Sequence, residues 1–283
     1  MNESIDEIRR SLASDGFHLV VGAAKPNLVE QLRDAVADVL CVAPHRDLLL
    51  DPNGVVRKIT YPLALDARFV TAVADPALLT LALSISPCPE ELALTWEDVL
   101  HKAPLVGEAV PVHQDLALQS LPGPVYSLGV HLDDASDNPI WFLPGSHRLG
   151  PQTKEEVRLL HRSERFVPVS PKVGDVVIHD VLCIHYSEAN RSPRPRTTWY
   201  LEHRTLSQLR ADDRWPDEWA LDRRAILFHA CAARRDLGMP FVWPPLGPNE
   251  TIEGWLAREP RFRVPHISYG VDYDVHSPWF HFG

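Results

Sequence analysis

Two short blocks of this sequence carry side chains able to hold a metal ion. Pro111-Val112-His113-Gln114-Asp115-Leu116 sets an imidazole and a carboxylate two residues apart, so on an extended strand both project from one face. Ile184-His185-Tyr186-Ser187 supplies a second imidazole further along. Two neutral imidazoles and one carboxylate make the 2-His-1-carboxylate set, which holds Fe(II) on one side and leaves positions open for substrate and oxygen. His113, Asp115 and His185 are therefore the candidate ligands. An H-x-D pair arises by chance in many chains, and this one has 14 histidines. The weight rests on what surrounds the second histidine.

Downstream of His185 stands Arg196, opening the run Arg196-Thr197-Thr198-Trp199-Tyr200. A guanidinium facing an apolar interior needs a carboxylate or phosphate partner, because burying it unpaired is unfavourable. A dicarboxylate that chelates the metal at one end can meet Arg196 in a bidentate contact at the other. Arg194 competes for that role. On a strand, Thr198 and Tyr200 share the Arg196 face and Trp199 faces the other way, toward a core. Val125 to Leu132 alternates too, with Tyr126, Leu128, Val130 and Leu132 on one side and Ser127, Gly129 and His131 on the other. His131 and Tyr200 are the candidate substrate contacts, although a histidine hydrogen-bonded within the fold is an equal reading of His131. His101 and His179 read as structural.

The elements that must position these residues follow from periodicity and punctuation. Helices are expected at Glu3 to Leu12, Pro26 to Leu40, Arg68 to Val73 and Pro76 to Ser84, the last with Asp75 as N-cap and Pro76 at its first position. Asp51-Pro52-Asn53-Gly54 is a turn. Strands are expected at Phe17 to Val21, Val55 to Tyr61, Val125 to Leu132, Ile140 to Leu143, Phe166 to Val169, Asp175 to His179 and Thr197 to His203, with alternation also at Leu92, Leu94 and Trp96. Many short strands after a helical start point to a mainly β fold with flanking helices (α+β), its core a double-sheet barrel or jelly roll. One domain accounts for residues 1–283. It has a helical part to about 90, a β core to about 205 and a C-terminal extension with one helix near Leu221 to Arg234, loops and a closing segment.

Composition bounds the partners. The chain has 283 residues and a formal charge of −10, without long runs of either sign. That gives no footprint for nucleic acid. No apolar run approaches the ~20 residues of a membrane span, and the polar N-terminus shows no signal peptide. Cys41, Cys88, Cys183 and Cys231 are scattered, which suits a reducing compartment. A cytoplasmic protein acting on a small molecule is expected; its oligomeric state is not legible.

The ordered set His113-x-Asp115, Leu143-Pro144-Gly145-Ser146-His147, Gly174-Asp175, His185-x-Ser187, Asn190-x-Ser192 and Arg196 resembles the phytanoyl-CoA dioxygenase family. The resemblance implies an Fe(II)- and 2-oxoglutarate-dependent oxygenase, using O2, on a double-stranded β-helix of cupin-like form. It makes His113, Asp115 and His185 the iron ligands. Arg196 becomes the clamp on the distal carboxylate of 2-oxoglutarate, with Ser187 and Lys58 as further cosubstrate contacts. Pro144 to His147 becomes a structural turn. Two departures stand out: Asp137-Asn138-Pro139 is one Gly short of the family's usual run, and Gly129 stands where a Trp is frequent. Hydroxylation is the default outcome, with desaturation, epoxidation or cyclisation as alternatives. With Asp115 in place, halogenation is not expected. No extended basic cluster suits a CoA pyrophosphate, so a natural-product intermediate or other small molecule is the expected substrate. A non-enzymatic carboxylate-binding β-helix protein and a cupin-type enzyme that does not use 2-oxoglutarate are the other readings.

Overall fold

Alternation along the strands decides where polar and apolar side chains go, and the chain builds two sheets from it. The computed structural model describes residues 4–115, 123–162, 165–212 and 215–263. In chain order the longer elements are α1 (Ile5–Asp15), β1 (Phe17–Val20), α2 (Pro26–Val42), β2 (Leu48–Leu50), β3 (Val56–Thr60), α3 (Ala67–Val73), α4 (Pro76–Ile85), β4 (Leu92–Lys102) and β5 (Val110–His113). They continue with β6 (Tyr126–His131), β7 (Ile140–Phe142), α5 (Lys154–His161), β8 (Val167–Val169), β9 (Val176–Asp180), β10 (His185–Ser187), β11 (Arg196–Thr205), α6 (Leu206–Arg210), α7 (Asp217–Asp236) and α8 (Ile252–Leu256). A seven-stranded sheet runs β1-β9-β6-β11-β4-β3-β2, and a four-stranded sheet runs β5-β10-β7-β8. Neighbouring strands pair antiparallel throughout both. This is the expected mainly β architecture with flanking helices.

The outward face of the large sheet is dry. Leu128, Val130 and Leu132 of the β6 segment and Trp199 and Leu201 of β11 join one cluster with Ile8, Leu32, Phe69, Leu78 and Leu81 from the helical layer. Phe69 packs its ring 5.7 Å from that of Trp199. The helices begin and end where their caps dictate. Asp75 accepts from the Ala77 N–H at 3.1 Å with Pro76 following as the first helical residue. Gly16, at φ 85°, ends α1 and turns the chain into β1. α3 and α4 are short and bent against each other, and no single described helix is long and apolar enough to cross a membrane.

The division of the chain differs from the expectation in one respect. Before residue 90 the expected strands appear as β1 and β3, and with the unforeseen β2 they join the large sheet. β4 is also far longer than the alternation at Leu92 to Trp96 suggested. Its residues are buried on both faces, Glu97 and Asp98 included, so the period-two signal disappears. The C-terminal extension is fastened behind this strand. Arg223 of α7 donates to the Leu94 carbonyl at 2.5 Å and pairs with Glu97, and Arg224 donates to the Leu92 carbonyl at 3.0 Å. The helix there spans Asp217–Asp236, longer at both ends than expected. The expected closing segment falls in 264–283, outside the described residues. None of the four cysteines is in a disulfide.

Candidate metal centre and anion pocket

β5 and β10 pair so that His185 lies directly opposite His113, which sets the two imidazoles on one face of the small sheet. Their ring centroids are 4.3 Å apart. β5 ends at His113, so Asp115 sits just past the strand and not on it. It keeps the same side because Asp115 N–H donates to the Val181 carbonyl at 2.9 Å. Between the two, Gln114 turns the other way and is buried. It donates to the Leu182 and Gly150 carbonyls and accepts from the Gln152 N–H at 2.8 Å, which pins the backbone joining the two ligands.

One ligand atom each from His113, Asp115 and His185 lies within 4.8 Å of the others. Asp115 Oδ1 is 3.2 Å from His113 Nε2 and 3.7 Å from His185 Nε2. Two donors each about 2.1 Å from a shared ion and at right angles stand about 3 Å apart, so the set fits a first-row metal. The ring tautomers are arranged for it as well. His113 Nδ1 bonds the Pro111 carbonyl at 2.8 Å and His185 Nδ1 bonds the Cys183 carbonyl at 2.9 Å, each from two residues back in its own chain. A carbonyl only accepts, so Nδ1 carries the proton and Nε2 presents its lone pair.

The second oxygen of Asp115 is also held. His179 Nε2 lies 2.7 Å from Asp115 Oδ2, which leaves Oδ1 to face the histidines. Phe142 packs beside His179 and His185, at 5.7 and 5.4 Å between ring centroids. Burial pushes the His185 pKa down to about 3, aided by His113, so its imidazole is neutral. Burial works to raise the Asp115 pKa, but the surrounding His185, His113 and His179 outweigh it and hold the carboxyl well below its ordinary value. An anionic oxygen with two neutral nitrogens is the donor set that Fe(II) takes. The expected structural turn serves the same centre: the Ser146 hydroxyl accepts from the Ile184 N–H at 2.8 Å, and Gly145 takes φ 74°.

The inward face of the large sheet leads away from this centre. Register aligns Arg196, Thr198 and Tyr200 of β11 with Lys102, Leu100 and Asp98 of β4, and Thr198 and Tyr200 with His131 and Gly129 of β6. The Tyr200 ring lies 6.4 Å from that of His179, near the metal end. Burial pushes its phenol up to about 12. Gly129 answers one departure from the family pattern. A Cβ there would meet Tyr200 Cε1 at 2.8 Å, so the Tyr200 ring occupies the space a larger side chain at 129 would fill.

At the far end Arg196 is 2% exposed. Its Nη1 donates to Asn138 Oδ1 at 3.2 Å, while Nε and Nη2 meet no acceptor among the described residues. Burial without a counter-ion lowers its pKa from the ordinary arginine value. Arg194, by contrast, is exposed and pairs with Asp137 at 2.6 Å, which removes it as a competitor. Buried cationic donors without an acid partner among the described residues are suited to an anion. The unmatched donors of Arg196 suit a carboxylate, as the dicarboxylate reading expects.

Of the two further cosubstrate contacts expected, neither reaches Arg196 directly. Lys58 lies on the same inward face, two strands away, with Nζ 2.6 Å from Asp98 Oδ2; Trp96 Nε1 donates to that same oxygen at 2.7 Å. The lysine beside Arg196 is Lys102, which sequence reasoning passed over. It is 1% exposed and donates to Ser187 Oγ at 2.9 Å, with the Glu188 carbonyl also in contact. Burial, with Arg196 adding to it, pushes Lys102 down to about 6. Asn138 ties the pocket together. Its amide donates to the Glu188 and Ala189 carbonyls at 3.0 and 3.1 Å, and its oxygen accepts from Arg196. Asn138, Gln114 and His179 are the other functional supports that the motifs did not single out. Only the Asp137-Asn138-Pro139 run carried a signal for any of them.

The family model described as phytanoyl-CoA dioxygenase matches residues 12–198. Among solved structures, EctD from S. alaskensis with 2-oxoglutarate and 5-hydroxyectoine is similar at 21% identity and TM-score 0.62, covering 74% of this chain and 79% of that one. EvdMO1 is similar at 26% identity and TM-score 0.62, over 70% of this chain and 49% of its own. The epimerase SnoN, in complex with Fe3+, alpha ketoglutarate and nogalamycin RO, is similar at 19% identity and TM-score 0.61, covering 71% and 84%. No curated protein sequence matches significantly. The chain belongs to the phytanoyl-CoA dioxygenase family and is an Fe(II)/2-oxoglutarate-dependent oxygenase.

Proposed function

We propose that this member of the phytanoyl-CoA dioxygenase family oxidises a small molecule, such as a natural-product intermediate, with hydroxylation as the default outcome. His113, Asp115 and His185 would hold the iron, and Arg196 would hold the distal carboxylate of 2-oxoglutarate. When bound, iron and 2-oxoglutarate supply dioxygen activation coupled to decarboxylation of the oxo acid to succinate and CO2. The residues of the chain do the rest. The Nδ1–carbonyl bonds keep both ligand nitrogens unprotonated, and His179 aims the Asp115 oxygen. Phe142 keeps water from one side. Lys102 braces Ser187 and the turn after it, against which Arg196 stands. Tyr200 lines the path between the two ends and is the side chain placed to meet a substrate.

The observation that carries this reading is the pairing of a preset His-Asp-His cluster with a buried arginine whose Nε and Nη2 lack acceptors. The natural-product class draws support from fold likeness to SnoN and SnoK, both described as from nogalamycin biosynthesis. Anaerobic titration should show one Fe(II) per chain and saturable 2-oxoglutarate binding that requires it. Aerobic screening of small molecules should then give succinate in step with a mass gain of one oxygen atom, or a loss of two hydrogens. Binding of 2-oxoglutarate that is indifferent to Fe(II) would count against the reading.

A further inference from the structure

We infer that His131 is a third hydrogen-bond donor to the carboxylate held by Arg196, and so helps select 2-oxo acids that carry a distal carboxylate. The inference rests on the proposed role of Arg196. β6–β11 register sets His131 opposite Thr198, one pair from Arg196 on the same inward face. The imidazole is 0% exposed.

Its two nitrogens are in different situations. Nδ1 lies 3.3 Å from Thr198 Oγ1. A neutral ring that meets a carboxylate at Nε2 carries its proton there, and its Nδ1 then accepts from the Thr198 hydroxyl. Burial, with Arg196 adding to it, holds the His131 pKa well below its ordinary value, so the ring is neutral and not a second cation. Nε2 has no partner among the described residues, like Arg196 Nε and Nη2 beside it. Nε2 and the two Arg196 nitrogens belong to side chains one register pair apart on one face, and among the described residues none of the three has a protein partner. Buried polar groups are nearly always satisfied, and a carboxylate offers about four lone-pair sites, enough for all three.

The test is anaerobic calorimetry of the full Fe(II)-loaded chain with two ligands. 2-Oxoglutarate has the distal carboxylate; 2-oxobutyrate shares the chelating end and lacks it. His131→Phe should weaken 2-oxoglutarate binding about 10- to 100-fold, the usual effect of losing a hydrogen bond to a charged group. It should leave 2-oxobutyrate within about twofold on the same reasoning. His131→Gln, which can set an amide N–H near the Nε2 position, should recover part of the loss. Unchanged 2-oxoglutarate affinity in His131→Phe, or equal loss for both ligands, would overturn the inference. Should His131→Phe fail to fold, Thr198→Val decides. It removes the group that fixes the tautomer, and it should weaken 2-oxoglutarate alone; equal effects on both ligands would again overturn the inference. A wild-type chain that binds both acids equally would instead remove the Arg196 reading on which this one stands.

Discussion

The metal end of this fold is half-buried and the cationic end fully buried, and their polar atoms are in opposite states. At the metal end each ligand side chain already has a protein partner on its far side: Pro111 and Cys183 carbonyls for the imidazoles, and His179 for the carboxylate. What remains is a set of lone pairs aimed at one point. At the cationic end the guanidinium has one acceptor, Asn138, and two nitrogens with none. The first region is organised before any ion arrives. The second leaves donors, unpartnered among the described residues, that an anion would satisfy. A metal centre tolerates little angular error, so its aim must come from the protein, whereas a carboxylate brings the missing acceptors itself.

The largest expected effects fall on the first region. His113→Ala or His185→Ala should abolish Fe(II) binding, read by metal analysis after anaerobic loading, while the fold persists. Retained stoichiometric iron in either variant would break the comparison at its root. Next is Arg196→Ala, which should leave iron bound and weaken 2-oxoglutarate by about 2–5 kcal/mol, typical for removing one member of a buried charge pair. Arg196→Lys should recover only part of this, since an ammonium lacks the planar fork. Arg194→Ala should change neither ligand, because Arg194 is exposed and paired with Asp137. If Arg194→Ala produced the loss and Arg196→Ala did not, the assignment of the pocket would fail.

The same contrast explains what was legible in the sequence. The metal ligands and their tautomer-setting carbonyls lie within two short segments, and one antiparallel register joins them. A local motif therefore carried nearly the whole centre. The alternation of β6 and β11 separated Leu128, Val130 and Trp199 from His131, Arg196 and Tyr200 correctly, because only one face of each strand packs on the helices. The surroundings of Arg196 were less legible. Lys102, Ser187, Asn138 and His131 come from four separate strands or loops, and no spacing in the chain connects them. Lys102 sits on a strand buried on both faces, where alternation is lost. Lys58 was expected to contact the cosubstrate by its position in a motif, and its Asp98 partner lies 40 residues away.

A smaller effect is expected of the support behind the carboxylate. His179→Leu removes the 2.7 Å bond to Asp115 Oδ2 without touching the three ligands. Loss of such an outer partner typically lowers metal affinity 10- to 100-fold. Competitive chelator titration of the Fe(II) form should show that loss, while 2-oxoglutarate affinity at saturating iron changes little. Unaltered iron affinity would mean that Asp115 is aimed by its backbone bond to Val181 alone.

The smallest effect on ligands is expected at Lys58, and it separates the two ends most finely. Its ammonium is engaged by Asp98, a buried carboxylate that also accepts from Trp96. In Lys58→Met the Trp96 bond survives and the charge of Asp98 loses its counter-ion. The consequence should be structural, a stability loss of about 1–3 kcal/mol from a buried acceptor left short of a partner. That corresponds to a melting shift of at most about 2–12 °C, taking the 2–4 °C per kcal/mol typical of somewhat smaller chains. Iron binding should be unchanged, and 2-oxoglutarate affinity should move by less than about twofold, since Arg196 keeps all its neighbours. Lys102→Met should do the reverse and weaken 2-oxoglutarate, because Ser187 and the turn after it lose their brace beside Arg196. A strong cosubstrate defect in Lys58→Met, with Lys102→Met silent, would move the anion pocket two strands across the sheet and return Lys58 to the role its motif position suggests.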